Sequence, residues 1–192
     1  MLHPFSRRHF LKGTALALGA FALNGFYGTA HAVPGNVLVA YFSWSGNTRG
    51  IARLLHQKIG GELVEIEPAT PYSEDYNTCL EQAKRDQERA ARPELKTHIA
   101  DMPRYDVVFL GYPNWWYGVP MALLTFLEEN DLSGKQVYLF CSHGTGGLAN
   151  SVELITEAAP GATISENVFH CYEEDASSSQ SDIQNWLSQL GY

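Results

Sequence analysis

The chain has 192 residues, 45% of them apolar, with 13 Lys and Arg against 21 Asp and Glu, a formal charge of −8 at pH 7. That balance argues against nucleic acid or an anionic membrane surface as a partner, and the length suits a single folded domain. The three cysteines, Cys79, Cys141 and Cys171, form no C-x-x-C pair, so neither a zinc site nor a thioredoxin-type dithiol is indicated.

The first 32 residues read as an export signal rather than as part of the fold. Ser6-Arg7-Arg8-His9-Phe10-Leu11-Lys12 is a twin-arginine motif, Gly13 to Ala30 is uncharged, and Ala30-His31-Ala32 is a small-x-small cleavage pattern. A transmembrane anchor fits less well, because Gly13, Gly19, Asn24, Gly25 and Gly28 dilute the apolar stretch. Cleavage after Ala32 leaves residues 33–192 as the domain, in the periplasm and without a stable membrane anchor. Arg7, Arg8 and Lys12 leave with the signal and no acid does, so 10 bases face 21 acids and the mature charge is −11. Such acidity suits docking to a basic partner, and equally suits plain solubility. In an exported chain one disulfide would leave one thiol. Cys141 and Cys171, placed after strands expected to be neighbours, are the expected pair, against the alternative of three unpaired buried thiols.

The rest of the chain alternates strand and helix. Val37 to Phe42 is an apolar run, followed at once by a helical pattern from Thr48 to Lys58 with Ile51, Leu54, Leu55 and Ile59 on one face. Leu63 to Ile66 is the second strand. Val107 to Leu110 and Val137 to Phe140 are near-continuous apolar runs, the pattern of strands buried on both faces. A weaker strand lies within Thr163 to Phe169. Further helices are expected at Ala122 to Glu129, Leu148 to Ala158 and Ser179 to Leu190, with Gly60-Gly61, Gly134 and Pro160-Gly161 as punctuation. Five strands alternating with helices define an α/β fold, a doubly wound parallel sheet. Residues 68–105 interrupt the rhythm with a polar helix, roughly Asp75 to Ala91. It reads as a solvated crossover helix, with Tyr72 and Tyr76 left open as parts of a flap near a ligand.

Ligands of such sheets sit outside the carboxyl ends of the strands, where three segments converge. Ser43, Trp44, Ser45, Gly46, Asn47 and Thr48 form a hydroxyl-rich loop at a helix N-terminus. Free N–H groups and side-chain hydroxyls make that a site for one phosphate. The spacing of a Walker loop and its lysine are absent. Pro113, Asn114, Trp115, Trp116, Tyr117 and Gly118 follow the third strand and are rich in aromatics, suited to stacking on a flat ring. At least one of Trp115, Trp116 and Tyr117 is expected to meet the ligand while the others pack inside. Ser142, His143, Gly144 and Gly147 belong to a glycine loop after the fourth strand, whose backbone can approach a ligand closely. His143 is a candidate hydrogen-bond donor to the ring, or a surface histidine without a role. Together the loops describe a phosphorylated ligand with a flat ring.

On these residues the chain resembles the flavodoxins. Ser43-x-Ser45-Gly46-Asn47-Thr48 is similar to their FMN-phosphate loop, Asn114-Trp115 to the first loop flanking the isoalloxazine, and Cys141 to Gly147 to the second. Gly111-Tyr112-Pro113-x-Trp115-Trp116 and the long insertion are closest to a bacterial flavodoxin-like subfamily. The resemblance implies strand order 2-1-3-4-5 and FMN as cofactor, with no catalytic residue or metal ligand supplied by the protein. The sequence departs from the flavodoxin pattern in two places: the second flanking loop has no aromatic, which would leave one flavin face open, and the first is apolar rather than acidic. The implied role is electron transfer to an unidentified redox partner protein. The alternative is an FMN-dependent reductase of quinones or similar small acceptors, with His143 or Tyr117 as proton donor. A binding module that has lost the flavin is a third reading, against which the phosphate loop and aromatic cluster count.

Overall fold

The computed structural model describes residues 36–176 and 178–192; the expected export signal lies outside the described residues. Strands β1 (Val37–Tyr41), β2 (Glu62–Glu65), β3 (Val107–Pro113), β4 (Gln136–His143), β5 (Thr163–Ile164) and β6 (Phe169–Tyr172) form one sheet. Its order is β2-β1-β3-β4-β5, with β6 also on β4, and every pairing is parallel. The doubly wound order 2-1-3-4-5 is therefore the observed one. Its fifth position is split: β5 pairs with Gln136 and Val137, and β6 with Phe140 to His143. The single weak strand expected over Thr163 to Phe169 is thus two short ones, because polar Ser165, Glu166 and Asn167 interrupt the apolar run.

The helices are α1 (Asn47–Ile59), α2 (Tyr76–Glu88), α3 (Met121–Glu129), α4 (Ser151–Ala158) and α5 (Gln180–Leu190). Alternation along the strands sends side chains to two cores. Val37, Val39, Tyr41, Phe109 and Phe140 pack with Ile51 and Leu55 of α1 and Ile183, Trp186 and Leu187 of α5. Leu38, Ala40, Val108, Leu110, Leu139 and Cys141 pack with Ala122, Leu123 and Phe126 of α3 and Ile155 of α4. Helices on both faces explain why β1 is buried at all five positions. Gly111 is required where β3 meets β4, since a methyl group there would overlap the Phe140 ring.

The two faces also correct the expected disulfide. Cys171 lies opposite Ser142 in the β4–β6 register, one residue out of step with Cys141. Cys141 points into the α3–α4 core and Cys171 packs against the α1–α5 core, so the neighbouring strands hold them on opposite sides of the sheet. All three cysteines are free thiols. Among the described residues no helix is long and apolar enough to cross a membrane.

Candidate functional site

The loops that leave β1, β3 and β4 enclose a cavity of about 390 Å³ at the carboxyl edge of the sheet. Trp44 and Ser45 come from the first loop, Pro113 to Tyr117 from the second, and Ser142, His143 and Gly144 from the third. Ser43, Gly46, Asn47, Thr48, Gly118 and Gly147 are not part of this lining.

The first loop is built around one hydroxyl. Ser43 Oγ accepts from the backbone N–H groups of Gly46 and Arg49, each at 3.2 Å, which folds the loop onto the start of α1. Gly46 precedes the helix with φ of 94°, a conformation that favours glycine. Gly46, the residue before the helix, brings no capping side chain, Ser43 Oγ takes up the Arg49 N–H in its place, and no acid lies in the first turn. Among the described residues the N–H groups of Ser45, Asn47 and Thr48 have no protein acceptor. Free donors at the positive end of a helix dipole fit an anion. Thr48 is turned the other way, and its hydroxyl meets that of Ser142 at 2.8 Å with both residues buried. That bridge ties the start of α1 to the end of β4. Arg49 is no free phosphate ligand, because Glu65 takes its guanidinium at 2.5 and 2.9 Å while also accepting from Tyr41 Oη.

The second and third loops are stapled together. Asn114 N–H donates to Ser142 O at 2.9 Å, Asn114 Nδ2 to Gly147 O at 2.5 Å, and Asn150 N–H to Tyr117 O at 3.1 Å. Ser151 Oγ donates to Leu148 O, so the buried Tyr112 hydroxyl donates to Ser151 Oγ and tethers β3 to α4. All three aromatics of the second loop line the cavity, Trp115 partly buried and Trp116 and Tyr117 exposed. Trp115 packs edge-on against Phe42 and Tyr72, with centroids 5.2 and 5.0 Å away. Trp116 and Tyr117 form the tip of a hairpin closed by mutual hydrogen bonds between Trp115 and Gly118. Their φ angles are 49° and 60°, the signature of a type I′ turn, which ordinarily takes Asn-Gly. Two bulky side chains in left-handed backbone store strain at the cavity mouth.

α2 is more than a solvated crossover. Tyr76, Cys79, Leu80 and Ala83 give it one face on the cavity, a correction to the solvated reading that a four-residue stripe in a polar helix concealed. The same helix holds the strained turn: Trp116 Nε1 donates to Leu80 O, Gln87 Nε2 donates to Trp116 O, and Lys84 Nζ stands 5.4 Å from the Trp116 ring centre. Of the two tyrosines left open, Tyr72 is interior while Tyr76 lies beside Trp44, whose Nε1 donates to Ser73 O. Tyr76, Trp116 and Tyr117, 61%, 39% and 65% exposed, are three of the four exposed large apolar side chains among the described residues, and all three line the cavity.

The third loop has no aromatic of its own, but a methyl group on Gly146 would lie 3.5 Å from the Tyr117 ring. Thr145, Gly146 and Glu173 complete the lining. Glu173 is its one carboxylate, arriving from the turn after β6, a segment with no local pattern that would place it here. His143 does not point a free N–H into the cavity. Its Nδ1 meets Gly144 O at 2.6 Å and its Nε2 meets His170 Nδ1 at 3.0 Å. Among the described residues no cluster of three His, Cys, Asp or Glu side chains is placed to hold a metal.

The fold and the site define a class: a doubly wound domain with a phosphate-type loop after β1 and two ring-flanking loops after β3 and β4. The flavodoxin family model matches residues 36–190, and the chain belongs to the flavodoxin family. A Bacteroides eggerthii protein assigned as a flavoprotein is 30% identical with a TM-score of 0.70, covering 82% of this chain and 99% of its own. A Lactobacillus acidophilus flavoprotein in complex with FMN shares the fold at 23% identity, with a TM-score of 0.63 over 80% of this chain and 99% of its own. Flavodoxin 1 of Escherichia coli is 26% identical over 62% of this chain, and the chain spans about half, 54%, of that relative's length.

Proposed function

We propose that this flavodoxin binds FMN in the cavity and carries electrons in the periplasm, where the twin-arginine signal delivers it. The observation that carries the reading is the acid-free N-terminus of α1, with the N–H groups of Ser45, Asn47 and Thr48 left open, beside an aromatic-walled cavity. Phosphate would sit against the free N–H groups of Ser45, Asn47 and Thr48. The ring would lie between the Trp116–Tyr117 turn and the Ser142–Gly146 loop. Redox chemistry belongs to the cofactor; the chain binds it, orients it and sets the charge around it. Titrating FMN into the protein lacking residues 1–32 and following the visible spectrum during stepwise reduction tests the assignment. Shifted flavin bands and tight uptake are expected, and a protein that takes up no FMN refutes it.

One observation favours a second reading, reduction of small acceptors. The exposed rings of Tyr76, Trp116 and Tyr117 surround a mouth that the third loop leaves without an aromatic roof. Steady turnover of a nicotinamide nucleotide and a quinone by the purified protein would support it. Flavin reduction only by a protein partner supports the carrier.

A further inference from the structure

We propose that His143 and His170 form a dyad that takes up one solvent proton when the group held in the cavity gains negative charge on reduction. The proposal rests on the flavin reading above. Register places the two histidines on one face of the sheet, with His170 of β6 opposite Cys141 and His143 of β4 opposite Tyr172. Their ring centres are 5.2 Å apart, tilted by 37°, and joined by the 3.0 Å contact between His143 Nε2 and His170 Nδ1. A carbonyl can only accept, so the 2.6 Å contact to Gly144 O puts a proton on His143 Nδ1. Neutral His143 then has a bare Nε2, which accepts from His170 Nδ1–H. The free nitrogen of the pair is His170 Nε2.

This arrangement has a capacity of one. A proton added at His170 Nε2 leaves the bond between the rings intact and strengthens it, since the donor becomes cationic. A second would have to sit on His143 Nε2, against the His170 N–H. The two rings also divide the work: His143 lines the cavity, whereas His170 is exposed and exchanges protons with water. Burial, reinforced by His143, holds His170 below the ordinary histidine value.

The surroundings leave cavity charge as the main influence on the pair. From β4 the facing group is the Cys141 thiol, neutral because burial pushes it up to about 12. From β6 it is Tyr172, whose ring centre is 6.5 Å from that of His143. From the turn after β6 it is Glu173, with Glu174 and Asp175 exposed beyond it. The 144–150 loop has no titratable side chain, and Glu153 and Glu157 of α4 are exposed. Among the described residues no carboxylate lies in ion-pair contact with either ring. A negative charge gained in the cavity therefore raises the proton affinity of the dyad. Electrons come from the redox partner and the proton from water. The N–H bond at His170 Nε2 is the bond the dyad makes, and it breaks again on reoxidation.

The test is a pH titration of the imidazole nitrogens by NMR in FMN-loaded protein, first oxidised and then reduced with dithionite. The expected result is a coupled titration of both rings with a midpoint about one pH unit or more higher after reduction, roughly a tenfold gain in proton affinity. Equal midpoints in the two states overturn the proposal while leaving the flavin reading standing, and failure to bind FMN overturns both. His170→Gln keeps a hydrogen-bonding side chain but binds no proton. Proton uptake on reduction, followed with an indicator dye in weak buffer, is expected to fall by as much as one per molecule below the wild-type reduced-state midpoint. Unchanged uptake in that variant overturns the dyad.

Discussion

Single side chains decide whether the three loops meet. Thr48 and Ser142 are 94 positions apart and share one buried hydroxyl contact. Thr48→Val removes one partner and strands the other, so it should cost about 1–3 kcal/mol in urea unfolding and weaken FMN uptake. Pairing it with Ser142→Ala should cost less than the sum of the single changes, since each loses the same bond. The cysteines give a second test at this scale. Burial pushes Cys79 up to about 11 and Cys141 up to about 12, and raises Cys171 as well. A thiol whose pKa is higher folded than unfolded stabilises the fold fully below its ordinary value near 9.0, and that stabilisation is lost as pH rises through the folded value. At pH 8 a thiol-specific chromogenic disulfide should therefore label the half-exposed Cys171 first and reach Cys79 and Cys141 only after denaturation. Three thiols in the denatured, unreduced protein would agree with opposite sheet faces; one thiol would mean that a disulfide forms.

Elements differ in how openly their sequences declare them. β1, β3 and β4 were legible because strands covered on both faces must be apolar at nearly every position, which few other segments are. The phosphate loop was legible for a similar reason: a hydroxyl-rich turn between a buried strand and an amphipathic helix has few uses. α2 was not, because only Cys79, Leu80 and Ala83 touch the cavity through apolar atoms while its other faces are solvated. That stripe, with Tyr76 one turn earlier, is the only local signal of the face. Glu173 and His170 were illegible because β6 reaches the site only through its pairing with β4, and pairing is not written in local pattern. The Trp116–Tyr117 turn shows the conflict most plainly. Its backbone asks for Asn-Gly and its sequence supplies two large rings, a mismatch that α2 holds in place through Trp116. Replacing the pair by Trp116→Asn with Tyr117→Gly should relieve roughly 1–2 kcal/mol of strain per residue, offset by the contacts that Trp116 loses. The expected outcome is unfolding stability equal to or above wild type with FMN affinity reduced at least tenfold. Loss of stability without loss of affinity would mean that the rings serve packing alone.

At the scale of the whole molecule, the site exists only in the finished fold. Its walls come from residues 44–45, 76–83, 113–117, 142–146 and 173, so no fragment that emerges early holds more than one wall. β3 must lie between β1 and β4 before the first loop can face the second. Long-range parallel pairing of this kind forms late and cooperatively. A chain that is to reach the periplasm with its flavin must therefore fold completely first, and a twin-arginine signal suits a route for folded cargo. Two variants separate these requirements. Arg7→Lys with Arg8→Lys leaves residues 33–192 untouched, and should leave a folded, FMN-binding protein in the cytoplasmic fraction. Gly111→Leu keeps residues 1–32 but drives a branched side chain into the Phe140 ring. By overpacking it should destabilise the domain by about 1–3 kcal/mol or more, so that export falls with folding. Fractionation followed by immunoblotting and flavin fluorescence reads both. Periplasmic accumulation of the lysine pair at wild-type level would show that another route carries the chain, and export of an unfolded Gly111→Leu protein would show that folding does not gate it.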